Sequence, residues 1–579
     1  MPTYQNPQQE PGTEKRLLLV FAATFLIIIL FQTVFKKYLP QTPAETPQKQ
    51  TQAASQVPAV PVPAATPTAP LPPAAAAGVQ AKSESEVVIE NDLYRITFSN
   101  RGAQVKSWIL KKFDDEHGKP LELVNAAAAA GFGYPLSLWT YDEGLRTKLN
   151  SALYVASSSG SLQAPASISF EFSDADTSVR KTFRFDHSYL VHVETSVSSK
   201  GSAVSAFPLW PAGFGDVARA ASYASSQVEY QSDAKTERLA TKKVIGGNTL
   251  AGPFDWAGVT DQYFAAVFLP EDPARAAMVT LHHSLEIPKD PSKPAGDKIK
   301  VDVLGAGVGD VRGATVERMY VGPKSLQVLE SVNVPTINSA PQDLRTLVNF
   351  GFFSVIARPL FIWLKWTYKY VPNWGWAIII QTLIINAVLL PLRISQMKSA
   401  LKMQRVAPQI KSIQEKYKKY SMRDPRKQEM NKEVADIYKK EGVNPVGGCL
   451  PMLIQMPFLF AYYSMLGSAL DLRHAPWLWI RDLSAPDPWY LLPIGIVITM
   501  FLTQRMTPQA GMDPTQQKMM TIMMPLFIGF ISFNLAAGLC LYWSVGNLIA
   551  IGQQMVINRT SMGQEMREIA AKRARKKEK

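Results

Sequence analysis

The stretch from Arg393 to Leu466 constrains this chain most. From Arg393 to Lys440 it carries 14 Lys and Arg. Charge then stops at Glu441, and no residue from Val443 to Leu470 is charged. Such a boundary marks the cytoplasmic end of a membrane helix, because positive residues are held on the inner side. The other apolar segments can be placed relative to this end.

The formal net charge is +14. Residues 393–444 set 14 basic against 6 acidic residues, and residues 559–579 set 8 against 3. The excess therefore sits in two short segments. That pattern suits two surfaces that meet anionic lipid or RNA. It equally suits segments whose charge only orients the helices. Cys449 and Cys540 both lie in apolar runs and imply no disulfide framework.

Residues 1–16 read as a cytoplasmic N-terminus and 17–35 as an uncleaved anchor helix long enough for one crossing. Residues 36–82 are rich in Pro, Ala, Gln and Thr and read as a disordered tether. Period-two alternation then begins. Tyr94, Ile96 and Phe98 show it, as do Val191, Val193 and Val197. Broken by Gly, Ser, Asp and Pro clusters, it predicts a large antiparallel β-sandwich over 83–340. His282 and His283 are adjacent and point to opposite faces of a strand, which argues against a metal site there.

Apolar residues mixed with Arg345, Arg358 and Lys365 predict an amphipathic interfacial helix over 341–373, with a final helix of the sandwich as the alternative. A helical membrane core follows over 374–558. Its helices are expected at about 376–392, 446–470, 490–504, 519–533 and 539–557, with a cytoplasmic helical hairpin over 393–444 and a basic tail over 559–579. With the anchor this makes six crossings, both termini in the cytoplasm and the sandwich outside.

No phosphate-cradling loop occurs, and GAGVGD at 305–310 lacks dinucleotide spacing. The predicted membrane helices hold no Asp or Glu in their interiors, which counts against an ion-coupled transporter. They carry uncharged polarity instead. Thr382, Asn386 and Arg393 fall at i, i+4 and i+11 on one helix face, with Gln381 at its border. Trp543, Asn547 and Gln554 repeat the spacing, and Gln455 sits near the inner end of its helix. Such residues either glue helices together or line a wet notch open to the inside. Met452, Met456, Met519 and Met523 lie in inner helix halves. They suit a surface that accepts many apolar partners, and equally suit gap-filling.

NPVGGCLPMLIQMPFLFAYYSML, the basic hairpin before it, DPTQQKMM and GLCLYWSVGN together resemble the YidC/Oxa/Alb family of membrane protein insertases. The likeness runs from about Asp343 to the C-terminus. The anchor, tether and sandwich resemble the larger form found in bacteria with two membranes. The resemblance implies a polytopic α-helical inner-membrane protein with a five-helix insertase core. It also implies a periplasmic all-β supersandwich, and a groove open to cytoplasm and lipid but closed to the outside. Implied partners are nascent integral membrane proteins, the Sec translocon, the lipid bilayer, and the ribosome through the basic tail and hairpin. No cofactor and no enzymatic chemistry are implied. By position, Thr382 falls on the family's groove threonine and Trp543 on a substrate-contacting aromatic. Relatives carry an arginine where this chain has Asn386. Arg393, seven residues on and so about 10 Å nearer the cytoplasm by helix rise, can supply that charge. The alternatives are an anchored envelope enzyme using the sandwich, or a channel or transporter.

Overall fold

The computed structural model describes residues 78–216, 223, 225–289, 295–336, 340–417, 420, 424–443, 450–506, 514–565 and 567–569, with 450–455 and 514–517 described by backbone only. The expected anchor helix, the tether up to residue 77 and the end of the basic tail lie outside these residues. The chain forms two compact units, Met1–Val348 and Asn349–Lys579.

The first unit is built from β-sheets. Its largest sheet has ten strands. In spatial order it runs Lys235–Ala240, Gln227–Ser232, Trp256–Thr260, Phe264–Pro270, Thr315–Pro323, Leu190–Ser199, Thr177–Phe185, Ala166–Ser173 and Val155–Ala156, with Ser202–Val204 paired to Leu190–Ser199. A five-stranded sheet is ordered Asn248–Ala251, Ala276–Pro288, Lys298–Asp310, Phe207–Trp210 and Leu138–Trp139. A second one contains Tyr94–Ser99 and Glu86–Glu90, and Glu86–Glu90 runs parallel to Gly160–Gln163. The sequence alternation reads inward. Tyr94, Ile96, Phe98, Val191, Val193 and Phe183 are all fully buried. Short helices at Ala126–Phe132, Glu143–Ser151 and Leu326–Glu330 interrupt an otherwise β architecture.

Two features depart from the expected pattern. Residues 78–82 are not free tether. The Val79 amide donates to the Ser173 hydroxyl at 3.0 Å, and the Ala81 amide donates to the Leu153 carbonyl at 3.0 Å. The other is Lys181, which occupies an inward position of its strand and is 1 % exposed. Its ammonium donates to the carbonyls of Gly102, Ala103 and Leu136 at 2.8, 2.9 and 2.7 Å. All three acceptor residues have positive φ, at 66°, 46° and 64°. The left-handed region costs an L-residue about 1–2 kcal/mol, so the buried cation holds two strained loops in place.

The second unit is helical. Its helices include α1 Ser354–Tyr370, α2 Trp374–Val388, α3 Leu390–Lys416, α4 Arg426–Lys440, α5 Leu450–Ser468, α6 Leu491–Met506, α7 Pro514–Ser532 and α8 Ala537–Arg559. The amphipathic helix starts later than expected. Leu344–Leu347 forms a separate 3-10 turn capped by Asp343, and Gly351 at φ +67° turns the chain before α1. On α1, Ala357, Leu360, Phe361 and Leu364 are buried, while Val355, Ile362, Trp366 and Tyr370 are exposed. An exposed apolar face opposite a packed one is the pattern of a helix lying in a lipid surface.

The helix expected over 376–392 is broken. α2 and α3 meet at Leu389 and bend by 50°. Pro391, in the first turn of α3, has no N–H to give to the carbonyl four residues back, so the helix cannot continue straight. No single helix among the described residues is both long and apolar enough to cross a membrane; α2 and α3 meet both conditions only together.

α3 and α4 form the hairpin. Val406, Ile410 and Val443 pack with Val434 and Ile437. Asp424 accepts the Arg426 amide at the start of α4, and Glu433 accepts from Lys416 and Tyr417 at 2.9 and 2.8 Å. The start of the tail docks on the root of the hairpin. Arg405 grips Glu565 with two hydrogen bonds of 2.7 and 2.8 Å, while Met562 and Ile569 pack on Met397, Leu401 and Ile557. α8 is the hub of the unit, packing against α2, α5 and α6. α6 and α7 approach closely because Gly529 has no side chain; a Cβ there would meet Val497 Cγ2 at 2.2 Å.

Candidate functional site

The polar side chains of α2 divide into two groups. Gln381 is fully buried and used at both ends of its amide. Nε2 donates to the Leu360 carbonyl of α1 at 2.9 Å, and Oε1 accepts the Tyr462 hydroxyl of α5 at 2.5 Å. Tyr462 in turn stacks on Tyr542 of α8 at 4.0 Å. This network joins four helices and is glue in the literal sense. Replacing Gln381 by Leu or Tyr462 by Phe strands the other buried group, so each single variant should cost about 1–3 kcal/mol. The double variant should cost less than the sum, by a coupling of about 1 kcal/mol. Thermal unfolding of the four proteins measures it; strict additivity would contradict the network.

Thr382 is also fully buried, and its hydroxyl donates back to the Ile378 carbonyl at 2.7 Å. One turn later the environment opens. Asn386 is half-buried, and its Nδ2 donates to the Thr382 carbonyl at 2.9 Å. The Asn386 backbone carbonyl accepts Gln553 Nε2 of α8 at 3.5 Å. Arg393 is half-buried on α3, beyond the bend, and Nη2 donates to the Ala550 carbonyl of α8 at 3.3 Å. Among the described residues Arg393 has no carboxylate partner. The expected single face of Thr382, Asn386 and Arg393 therefore does not run along one straight helix. The bend divides it, and α8 reunites the two parts.

The other predicted residues gather on α8 or beside it. Asn547 Nδ2 donates to Thr499 Oγ1 of α6 at 3.2 Å, and Trp543 is half-buried. Met456 of α5 and Met519 of α7 are half-buried, whereas Met523 is 54 % exposed. Met452 and Gln455 have side chains outside the described residues. Sequence reasoning passed over Ser544 and Gln553. Ser544 lies three residues before Asn547, close to the face that Asn547 shares with Gln554. That spacing was the available signal.

Ser544 Oγ, Gln553 Oε1 and Gln554 Oε1 are buried and have no hydrogen-bond partner among the described residues. Buried polar atoms are nearly always paired with protein or with ordered water. Two of these oxygens, on Gln553 and Gln554, lie within about a turn of Ala550, whose carbonyl holds Arg393, and Gln553 also reaches the Asn386 carbonyl; there water fits the chemistry better than hydrocarbon does. α2, α5, α6, α7 and α8 carry no Asp or Glu, so Arg393 is not matched by any acid on these helices.

The opposite end of the bundle is plugged. A Cβ on Gly375 would meet the Trp477 ring at 2.1 Å, and Trp376 packs edge-on against Trp477. Leu472, Ile480 and Leu483 in the same loop are buried. Asp487 fixes the loop by accepting Trp479 Nε1 at 3.1 Å and the Leu492 amide at 2.7 Å. The Leu483 and Ala485 carbonyls accept the first amides of α8 at 2.8 and 2.7 Å. The hairpin end thus holds Arg393 and the unpartnered oxygens of Gln553 and Gln554, while the other end is tightly joined around Trp477 and the buried Asp487.

Residues 366–565 match the family described as 60Kd inner membrane protein. Residues 86–363 match the family described as YidC periplasmic domain. The membrane protein insertase YidC of Geobacter metallireducens is 33 % identical over 573 residues, covering 94 % of this chain and 98 % of that one. The insertase of the same name from Syntrophus aciditrophicus is 31 % identical over 585 residues, with 94 % and 99 % covered. A crystal structure of an active YidC insertase with its first transmembrane domain resolved aligns over 84 % of this chain and 95 % of that one, at 19 % identity and a TM-score of 0.34. Matched in both units, and aligned along nearly its whole length with relatives at about a third of positions, this chain belongs to the YidC family of inner-membrane protein insertases with a periplasmic domain.

Proposed function

We propose that the chain inserts membrane proteins by offering a water-filled notch, open on the hairpin side, to the polar flank of an incoming segment. The carrying observation is the pair of buried, unpartnered oxygens of Gln553 and Gln554 on α8, within about a turn of the Ala550 carbonyl that holds Arg393 and beside the Asn386 carbonyl. A 20-residue apolar segment gains about 6–12 kcal/mol on entering lipid, at roughly 0.3–0.6 per residue. The drive is therefore already in the substrate. What resists insertion is moving the flank through hydrocarbon. A notch reaching partway across shortens that dry path, and the apolar segment leaves sideways into lipid. No bond is made or broken, and the chain is not an enzyme.

In this reading the residues facing the flank are Asn386, Arg393, Asn547 and Trp543, with Thr382 and Gln381 holding the wall and Gln455 near its mouth. Met452, Met456, Met519 and Met523 meet the apolar part, Met523 from an exposed position on α7. The anchor at 17–35 and the five core segments make six crossings, with both termini in the cytoplasm and the sandwich in the periplasm. The basic hairpin and tail meet the ribosome, and the Sec translocon is a partner for larger substrates.

Photo-crosslinkers at Asn386 and Trp543 test the reading on an arrested nascent chain. Capture there should exceed capture from the exposed positions Leu383 and Val556. Equal capture at all four sites would remove the notch from the path.

A further inference from the structure

Asp487 is 1 % exposed within the helical unit. An acid buried in a membrane bundle is expensive to keep. Its oxygens are held by three donors. Oδ1 accepts Trp479 Nε1 at 3.1 Å and the Trp489 amide at 3.0 Å, and Oδ2 accepts the Leu492 amide at 2.7 Å. The two amides belong to the start of α6, where a carboxylate caps free N–H groups and meets the positive end of the helix. Capping accounts for those two bonds. It does not account for the third, to the indole of Trp479.

That third bond leads to the plug. The Trp479 ring lies 5.5 Å from the Trp477 ring, tilted by 56°. Trp477 in turn fills the space beside Gly375 and packs at 76° against Trp376. A backbone bridge to Ile480, at 2.8 and 2.9 Å, fixes where Trp477 starts. Its ring is another matter. Trp477 is buried, yet its Nε1 has no hydrogen-bond partner among the described residues. Packing therefore seats that ring. Trp479 is one of its braces, and Trp479 is tied by its own indole N–H to Asp487.

We propose that Asp487 is a positioning residue for one-sided insertion. Through Trp479 it keeps the Trp477 ring seated on Gly375, and the seated ring keeps periplasmic water out of the notch. This inference rests on the notch proposed above. A carboxylate suits the task because it is an acceptor at both oxygens, so it takes the indole and both amides at once. An amide side chain in its place has one acceptor oxygen and turns N–H groups toward N–H groups. The same carboxylate also joins the plug to the cap of α6, so Trp479 cannot swing away without leaving a buried oxygen short of a donor.

Side-selective thiol labelling of the full chain tests the proposal. The reporter is Asn386→Cys, with Cys449 and Cys540 replaced by Ser, in sealed vesicles of either orientation and with a membrane-impermeant maleimide. With Asp487 intact, labelling is expected from the cytoplasmic side alone. Asp487→Ala should raise periplasmic labelling about tenfold or more, as befits a lost hydrogen bond to a charged group, and leave the cytoplasmic rate within about twofold. Trp479→Phe removes the indole donor and keeps the cap of α6. It should raise periplasmic labelling by about threefold or more, and it decides the matter if Asp487→Ala does not fold. Equal gains from both sides would mark general loosening and overturn the proposal. Labelling confined to the cytoplasmic side in the folded variants would also overturn it, and would leave the notch standing. No labelling from either side with Asp487 intact would remove the notch, and this inference with it.

Discussion

Lys181→Met should lower the stability of the periplasmic unit by about 3 kcal/mol or more. The substitution removes the three N–H donors that saturate the Gly102, Ala103 and Leu136 carbonyls. Each buried acceptor left unpaired costs about 1–3 kcal/mol, and burying the methionine side chain offsets part of the total. Burial pushes the Lys181 amine down to about 7, while the three carbonyls favour the ammonium because only it has three donors. The cost is large because the loops it holds are strained: without the cation, Ala103 and Leu136 have less reason to stay at positive φ. Urea unfolding followed through the buried Trp108, Trp210 and Trp256 measures the change. The exposed Lys243 replaced by Met is the control and should move the midpoint little. Equal midpoints for Lys181→Met and the unaltered chain would make the buried cation dispensable.

Arg393→Ala should impair insertion of segments with acidic flanks by about tenfold and neutral ones by less than about twofold. A full charge at an effective dielectric of about 20 attracts an opposite one with ~2 kcal/mol at ~8 Å, and ~1.4 kcal/mol is a tenfold effect. Arg393 is the cation nearest Asn386 on the α2–α3 pair, and no carboxylate neutralises it among the described residues. Asn386 offers an amide only, with one of its two N–H groups given to the Thr382 carbonyl. Asn386→Arg in the Arg393→Ala background should restore the acidic substrates by placing the charge one turn beyond Thr382. Insertion into vesicles, compared across flank charge, checks both. Equal losses for acidic and neutral flanks would show that Arg393 serves packing through Ala550 and not attraction.

The parts of the fold legible in the sequence were those written in periodicity and charge. Tyr94, Ile96 and Phe98 alternate because one sheet face is buried, and the burial follows the letters. The charge boundary at Glu441 is a solvation boundary, visible without coordinates. Lys181 was not legible. A lysine at an inward strand position reads as a break in the pattern, and its partners lie 45 to 79 residues away. The bend at Leu389 was half legible. Pro391 stood in the sequence, but helical spacing carried Thr382 and Arg393 across it as though α2 and α3 were one rod. The candidate site was legible as residue types and not as roles. Gln381 and Asn386 look equivalent in sequence; packing of α1 and α5 buries one and leaves the other half-buried.

Thiol labelling at Asn386→Cys tests the hydrated notch most directly. Cys449 and Cys540 are first replaced by Ser, and a membrane-impermeant reagent is added to either side of sealed vesicles. The notch predicts labelling from the cytoplasmic side, within about tenfold of the rate at the exposed Lys398→Cys, and none from the periplasmic side. A cysteine at Asn386 as unreactive as one at the exposed apolar position Leu383 would contradict it.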